Sequence, residues 1–335
     1  MKKALYFLAS LVIVVGLAWI SLGLGKMYPI LEFPFWAVIF GLFVGSILRL
    51  PAKLKGAALA EPYIKIGLVF LGASVNFTMI MAAGSRGLIQ ALIGVPVVFF
   101  ATWFVARKFK LDEKFAAILA TAVSICGVSA AIAAAASVMA KKEHLTYAIT
   151  LVIVFALAFM FAQPYAAKLI GLSPAVAGSW IGNNIDNTAA VVGAAKMHSE
   201  GALKVASIVK MGQNCLIGVV AFLLAFWCFL KEKTVSQKPK LSEIWTRFPK
   251  FVLGFVLFSI LASAGVFSAQ LIKIWLNPIR SWLFAMTFVS IGLTTSFGAL
   301  KEIGGRPLYV FLIATGINLV TAFILAQLLF GNFII

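Results

Sequence analysis

Charged residues are scarce in this chain of 335 residues: they make up 11% of it, against about a quarter in an ordinary soluble protein. The chain has only 10 acidic residues and only two histidines. An enzyme site requires a nucleophile with a base, or several metal ligands, held together. The apolar segments of the chain contain one aspartate, no glutamate and no histidine. We therefore expect no enzymatic activity, no cofactor and no bound metal.

Cysteine is equally rare. Cys126, Cys215 and Cys228 all lie in apolar stretches, and their spacing matches neither a metal site nor a disulfide framework. Extended polar sequence is also lacking, since the longest polar stretch covers only residues 231–247. The sequence therefore leaves no room for a separate soluble domain.

Long apolar runs fill the rest of the chain, in which 63% of the residues are hydrophobic and the mean hydropathy is +1.07. About eleven segments have the length needed to cross a bilayer. They are 4–24, 33–50, 63–82, 86–106, 114–140, 145–167, 173–196, 203–230, 250–272, 281–300 and 307–331. This pattern predicts an all-α polytopic protein of the plasma (inner) membrane, with residues 1–335 as one transmembrane domain. Residues 1–25 form an extra N-terminal helix in this prediction, and 231–248 a cytoplasmic linker.

The net charge of +18 indicates orientation rather than nucleic-acid binding, because no soluble basic domain exists to carry such binding. Lys and Arg concentrate in the loops of one side, including the 231–250 stretch. Cytoplasmic loops are typically the basic ones. This bias predicts a cytoplasmic N-terminus and an external C-terminus.

A sequence repeat organises the chain. Residues 68–88 (LVFLGASVNFTMIMAAGSRGL) resemble residues 288–308 (FVSIGLTTSFGALKEIGGRPL) without a gap. The predicted topology gives the two copies opposite directions, so the halves 33–167 and 173–331 form an inverted repeat. Inverted repeats are typical of secondary transporters that work by alternating access.

A shorter repeat lies in the middle, where SAAIAAAA (129–136) resembles TAAVVGAA (188–195). Each copy follows a stretch that helices tolerate badly, SICGV (124–128) or GNNIDN (182–187). We expect two discontinuous helices in which Ser129 and Thr188 cap the second halves. Re-entrant segments would preserve the inverted symmetry, whereas fully spanning segments would run parallel. A third interpretation is that the alanine-rich stretches are tight helix-packing faces.

Polar residues at membrane depth concentrate in one part of the chain. Asp186 and Lys210 are the two ionisable residues that do not lie at segment ends. Polar groups in the bilayer core are costly and are usually functional. The predicted substrate-binding residues are Ser124, Gly127, Ser129, Asn183, Asn184, Asn187, Thr188, Lys210, Gln213 and Asn214, with Asp186 as the coupling-ion residue. The alternative is a buried Asp186–Lys210 ion pair, with amides that satisfy the broken backbone.

Two other polar positions give weaker signals. Asn318 is expected mainly to hydrogen-bond between helices. Gln163 precedes Pro164, a pattern that predicts the end of a helix.

Two half-helix N-termini and a lysine favour a small anion, because free N–H groups and partial positive charge converge there. Asp186 requires neutralisation next to an anion, which suggests coupling to a proton. The sequence thus predicts a proton-coupled secondary transporter of a small anion, inorganic or organic. The runner-up is a Na⁺/H⁺-type cation–proton antiporter in which Asp186 carries Na⁺ or H⁺. A channel remains a third possibility, and a homodimer is compatible with the architecture.

Several motifs resemble those of a known family. SICGVSAAIAA, the run around Asp186–Val192, IVKM (208–211), FPKFVLGF (248–255) and AMTFVSIGLTTSF followed by GGRPL are similar to the YeiH-type sulfate exporter family. The resemblance covers nearly the whole chain. It implies kinship with the cation–proton antiporter superfamily, and hence inverted repeats, discontinuous helices, elevator-like movement and sulfate as the transported anion.

Overall fold

The computed structural model describes residues 2–28, 31–231, 239–295 and 305–334, and every regular element in these ranges is a helix. Five helices are long and apolar enough to cross a membrane, and several shorter apolar helices accompany them. The five are Ala4–Met27, Phe77–Lys108, Lys142–Leu169, Glu200–Lys231 and Gly305–Phe330. The protein is therefore a multi-pass, all-helical membrane protein, as its composition predicts.

The first half of the chain forms nine helices in the described ranges. They are α1 Lys2–Met27, α2 Phe33–Leu42, α3 Ala60–Gly72, α4 Phe77–Lys108, α5 Glu113–Ser124, α6 Val128–Ser137, α7 Lys142–Leu169, α8 Pro174–Asn184 and α9 Thr188–His198. A π-helical turn, Phe43–Ile47, extends α2, and a 3₁₀ turn occupies Ala52–Leu54.

The second half continues with α10 Glu200–Cys215, α11 Ile217–Lys231, α12 Ser242–Arg247, α13 Phe251–Ser263, α14 Ala269–Leu271, α15 Asn277–Thr294 and α16 Gly305–Phe330. A π-helical turn at Ile272–Leu276 joins α14 to α15. Helices α10 and α11 are nearly continuous, since only Leu216 separates them.

The eleven expected segments do not appear one for one. The predicted span 63–82 is wrong, because α3 ends at Gly72 and α4 begins at Phe77 as one 32-residue helix. The break is held by serines of α13: Ser259 donates to the carbonyl of Val75, and Ser263 accepts from the N–H of Phe77. The predicted span 281–300 runs only to Thr294 as a helix, and residues 296–304 lie outside the described ranges.

The first discontinuous segment turns back on itself. Phe115, at the start of α5, stacks on His144 at the start of α7, with ring centroids 4.7 Å apart. Gly127, after the end of α5, lies against Val152 further along α7. Helices α5 and α7 therefore run side by side in the same direction. Because only residues 138–141 connect α6 to α7, α6 must run back the other way, and α5–α6 is a helical hairpin.

The second discontinuous segment follows the same plan. Gly178 of α8 lies against Ala202, and Gly182 lies against Ala206, so α8 and α10 run in parallel. Helix α9 ends at His198 and α10 begins at Glu200, which returns α9 along α10. The segments α5–α6–α7 and α8–α9–α10 thus repeat one arrangement, a hairpin packed on the helix that follows it.

The two hairpins meet end to end beside α16. Asn318, midway along α16, donates to the carbonyls of Val123 at 3.0 Å and Asn184 at 3.1 Å. Residues 310–314 of α16 pack with α5, whereas Trp180 of α8 packs on Phe323. The hairpins therefore approach α16 from opposite ends, and their tips adjoin at its middle.

Candidate functional site

A cavity of about 760 Å³ extends from the hairpin tips to the connection between α12 and α13. Most of its lining side chains are apolar. The polar ones are Glu61, Lys65, Ser129, Asn187, Thr188, Asn214, Thr246, Arg247, Lys250, Thr294 and Thr295. The cavity thus has a polar inner end at the hairpin tips and a charged rim near α12.

Helices α6 and α9 both begin at the inner end. Asn187 caps α9, since its Oδ1 accepts from the N–H of Ala190 at 3.0 Å, and Gly127 occupies the cap position of α6. The predicted caps Ser129 and Thr188 are therefore wrong, because both residues lie within the first helical turn. The other free N–H groups of these turns give the inner end a partial positive charge.

Gly127 is required by the contact between the tips. Its φ of +69° is one that glycine adopts without strain. A Cβ atom at this position would lie 2.0 Å from the carbonyl oxygen of Asp186 and 2.3 Å from Val152. The absence of a side chain therefore allows the two hairpin tips to touch.

Side chains of α9 and α10 complete the inner end. Thr188 Oγ1 accepts from Asn214 Nδ2 at 3.2 Å, and Ser129 is exposed in the cavity. Asn214 lines the cavity although it is only 3% exposed, and its Oδ1 has no hydrogen-bond partner. Four predicted site residues, Ser129, Asn187, Thr188 and Asn214, therefore face one space.

Lys210 and Gln213 lie behind this surface and do not line the cavity. Lys210 is fully enclosed, and its Nζ donates to the carbonyl of Ile125 at 2.7 Å and to Gln213 Oε1 at 2.5 Å. Gln213 Nε2 donates to the carbonyl of Ser124 at 2.9 Å and contacts Asn183 at 3.2 Å. These carbonyls lie at helix ends, where they have no intrahelical donor. We call Lys210, Gln213 and Asn318, with the carbonyls they bind, the tip joint.

The ion pair offered as an alternative for Asp186 and Lys210 is wrong. No ion pair within 4.0 Å joins the two side chains; the lysine instead donates to the carbonyl of Ile125 and to Gln213. Asp186 is 5% exposed, and its Oδ1 has no hydrogen-bond partner. Its backbone carbonyl lies at the contact with Gly127 between the hairpin tips.

Asn184 connects the tip joint to α7. Its Nδ2 donates to Gln163 Oε1 at 2.9 Å, and both side chains are buried. The prediction that Gln163 ends a helix is wrong, since α7 continues through Pro164 to Leu169. Packing against α8 and α9 holds this part of α7 helical despite the proline.

The sequence did not predict the cations of the rim. Arg247 and Lys250 belong to the basic stretch 231–250, which indicated only a linker and the orientation of the chain. Arg247 donates to the carbonyl of Ala133 at 2.8 Å and to Ser137 Oγ at 3.0 Å. It thereby fixes α12 against α6 at the cavity mouth. Since its partners lie more than 100 positions away in the chain, no local pattern could indicate this role.

An ion-pair cluster lies at the opposite end of the second hairpin, where α9 ends and α10 begins. Glu200 lies 2.7 Å from Lys196 and 3.4 Å from Arg280, and Arg280 also donates to Ser74 Oγ at 3.2 Å. Glu32, in the loop before α2, lies 3.9 Å from Lys196, and burial raises the pKa of its carboxyl while Lys196 opposes that rise. These five residues are the opposite-face cluster. They join the second hairpin to α2, α15 and the α3–α4 break.

In the part of the chain that the structure describes, no three His, Cys, Asp or Glu side chains come together to form a candidate metal site. The expectation of no metal or cofactor stays a prediction.

The chain resembles membrane proteins from several bacteria. A UPF0324 membrane protein of Nitratidesulfovibrio vulgaris is 40% identical over 311 residues, which are 88% of this chain and 54% of the relative. One of Rhodopirellula baltica is 40% identical over 348 residues, 98% of this chain and 64% of the relative. One of Nitrosomonas europaea is 32% identical over 339 residues, 90% of this chain and 68% of the relative.

The chain thus spans between about half and two thirds of the length of these relatives, whose names give no substrate. No solved structure matches it at a significant level. The family described as Conserved hypothetical protein 698 matches residues 6–311, and the chain belongs to this family of membrane proteins.

Proposed function

We propose that this protein is a secondary active transporter of a small anion. The observation that carries the proposal is the convergence of two half-helix N-termini, at Gly127 and Asn187, on the inner end of one cavity. Free backbone N–H groups and the helix dipoles favour negative charge at such a place. A binding site at the tips of two opposed hairpins is also typical of transporters with inverted repeats.

The charges around the cavity support an anion as substrate. Its lining includes three cations, Lys65, Arg247 and Lys250, and among the described residues one carboxylate. That carboxylate, Glu61, is bound to Lys65 at 2.6 Å. Arg247 also lies 3.7 Å from Glu243, which does not line the cavity, so among the described residues Lys250 is the lining cation without an acidic partner. Its charge draws anions toward the cavity.

The ion pairs of the opposite face support alternating access. The cavity opens beside α12, while the opposite-face cluster closes the other end of α9 and α10. With the proposed cytoplasmic N-terminus, the cavity faces the cytoplasm. Movement of the two hairpins as one body, as in an elevator, would break the cluster and expose the inner end on the other side.

Asp186 is the proposed proton carrier. It is buried between the hairpin tips with one oxygen unpaired, and Lys210 is occupied elsewhere. The cation–proton antiporter is less well supported, since Asp186 does not line the cavity and would have to bind Na⁺ without the help of a second described carboxylate.

Flux in proteoliposomes tests this proposal. Vesicles containing the protein are loaded with sulfate or a short organic anion, and a pH gradient is imposed. We expect pH-driven anion flux that Thr188→Val and Arg247→Gln each lower about tenfold, since each removes roughly 1.4 kcal/mol of binding or more. Thr146→Val is the matched control, because Thr146 is exposed and bonds only to its own helix. Proton movement on addition of Na⁺ or K⁺, without anion flux, would overturn the proposal in favour of the antiporter.

A further inference from the structure

We infer that the anion bound in this cavity is organic, with a charged head and a short apolar body, such as an alkanesulfonate or an alkanecarboxylate. This inference rests on the proposed anion transport and specifies its substrate class. It differs from the sulfate that the sequence resemblance implies. The composition of the cavity wall is the observation that carries it.

The cavity has the size and lining of a site for an organic molecule. Its volume of about 760 Å³ lies within the range of roughly 300–1,000 Å³ typical of such sites, which are mainly apolar with a few polar groups. An inorganic oxyanion at the inner end would contact the helix N-termini and leave most of the wall without a partner.

The apolar wall is continuous with the polar end. Ile132 lies one helical turn beyond Ser129 on α6, lines the cavity, and is 49% exposed. Ile153 and Leu157 line it from α7, and Ile217 from α11. An apolar body attached to a head at Ser129 and Thr188 would therefore lie against these side chains, and its burial would add to the affinity.

The polar end itself is built to receive a ligand. Asn214 is 97% buried, holds Thr188 through Nδ2, and leaves Oδ1 without a partner. Buried polar atoms without a partner are uncommon, and Oδ1 is an acceptor, so a water that donates both to Oδ1 and to the anionic head is expected here. This observation is independent of the helix N-termini and points to the same place.

The test is inhibition of anion uptake by two homologous series in proteoliposomes of the full chain. Methane-, ethane-, propane- and butanesulfonate form one series, and the carboxylates of matching length form the other. We expect the inhibition constant to fall about fourfold for each added CH₂ group until the cavity is filled. Comparison of the two series identifies the head group. Inhibition that does not change with length in either series would overturn the inference.

A matched pair of variants distinguishes binding of the alkyl chains in the cavity from their partitioning into the bilayer. Ile132→Thr should reduce the fourfold step to about twofold. Ile93→Thr should leave it unchanged, because Ile93 is 46% exposed on α4 and does not line the cavity. Equal steps in both variants would assign the length dependence to the bilayer and would overturn the inference.

The two proposals fail in distinguishable ways. Sulfate uptake with no length dependence would leave the anion transporter standing and remove the organic substrate. Absence of uptake and of competition for every anion, from a protein that remains folded, would remove both.

Discussion

The ammonium group of Lys210 donates to the carbonyl oxygen of Ile125, 2.7 Å away, and so joins α10 to the tip of the first hairpin. Asn318 and Gln213 bind the carbonyls of Val123 and Ser124 in the same way. Three successive carbonyls at the end of α5 therefore have side-chain partners. The positive charge of Lys210 also faces the negative end of the α5 dipole, which stabilises it inside the protein.

Replacement of this lysine tests the tip joint. Lys210→Met keeps the apolar stem and leaves the Ile125 carbonyl and Gln213 Oε1 without their donor. Loss of a partner for buried polar groups costs about 1–3 kcal/mol, so we expect a clear fall in melting temperature in detergent. Lys204→Met, on the same helix and half-buried, is the control and should have little effect. Equal melting temperatures for the two variants would contradict a stabilising role of Lys210.

Gly127 and Gly171 form a natural comparison, because both have positive φ, +69° and +67°. A Cβ at Gly127 would collide with the Asp186 carbonyl, whereas nothing lies within 4 Å of a Cβ at Gly171. We expect Gly171→Ala to cost about 1–2 kcal/mol through backbone strain alone. Gly127→Ala should cost considerably more, as the hairpin tips must separate.

The stability of both glycine variants is measured by thermal unfolding and by the yield of monodisperse protein after size-exclusion chromatography. A similar loss in the two variants would show that the tips do not depend on their close contact. A loss confined to Gly127→Ala would agree with the geometry of the joint.

Equivalent positions of the predicted repeat make similar hydrogen bonds. Ser46 Oγ donates to the carbonyl of Thr295 at 2.9 Å, and Ser259 donates to the carbonyl of Val75. Val75 and Thr295 hold equivalent positions in the two copies of the repeat, and each accepts a bond where its helix ends. The sequence could predict that these positions correspond, because the two copies share residue types position by position. It could not predict the bonds themselves, which join residues 249 and 184 positions apart.

Other features depend on contacts that no local pattern carries. The sequence predicted the breaks at 125–127 and 185–187 from weak helix formers, yet it assigned Lys210 to the substrate or to Asp186. The actual partner of Lys210, the carbonyl of Ile125, is 85 positions away and belongs to the backbone, which gives no signal by residue type. The break at residues 73–76 was missed for the same reason, since serines of α13 hold it.

Cysteine labelling tests which faces the cavity and the opposite-face cluster occupy. In a variant without Cys126, Cys215 and Cys228, single cysteines are introduced at Lys141 and Lys168, which lie at opposite ends of α7. In right-side-out vesicles an impermeant maleimide should label position 168 and spare position 141, and inside-out vesicles should reverse this pattern. The reversed pattern, with position 141 labelled and position 168 spared in right-side-out vesicles, would contradict the combination of a re-entrant first hairpin and a cytoplasmic N-terminus.

The pair Glu200–Arg280 provides a test of closure on the opposite face. Glu200→Gln removes the carboxylate that lies 3.4 Å from the buried Arg280. An ion pair of this partly exposed kind contributes up to about 1 kcal/mol, which corresponds to roughly a fivefold change between two conformations. Loss of the pair should therefore favour the state that is open on this face.

Labelling rates measure that shift. A cysteine at His198, next to the cluster, should react about two to five times faster in the Glu200→Gln background, and one at Ser129, in the cavity, should react more slowly. Glu143→Gln is the matched control, because Glu143 is exposed at the start of α7 on the other face. Opposite changes at the two reporters are what alternating access requires, since one movement must close one side as it opens the other. Parallel acceleration at both reporters would instead indicate that loss of the ion pair loosens the whole fold, and the cluster would then stabilise the structure without closing a pathway.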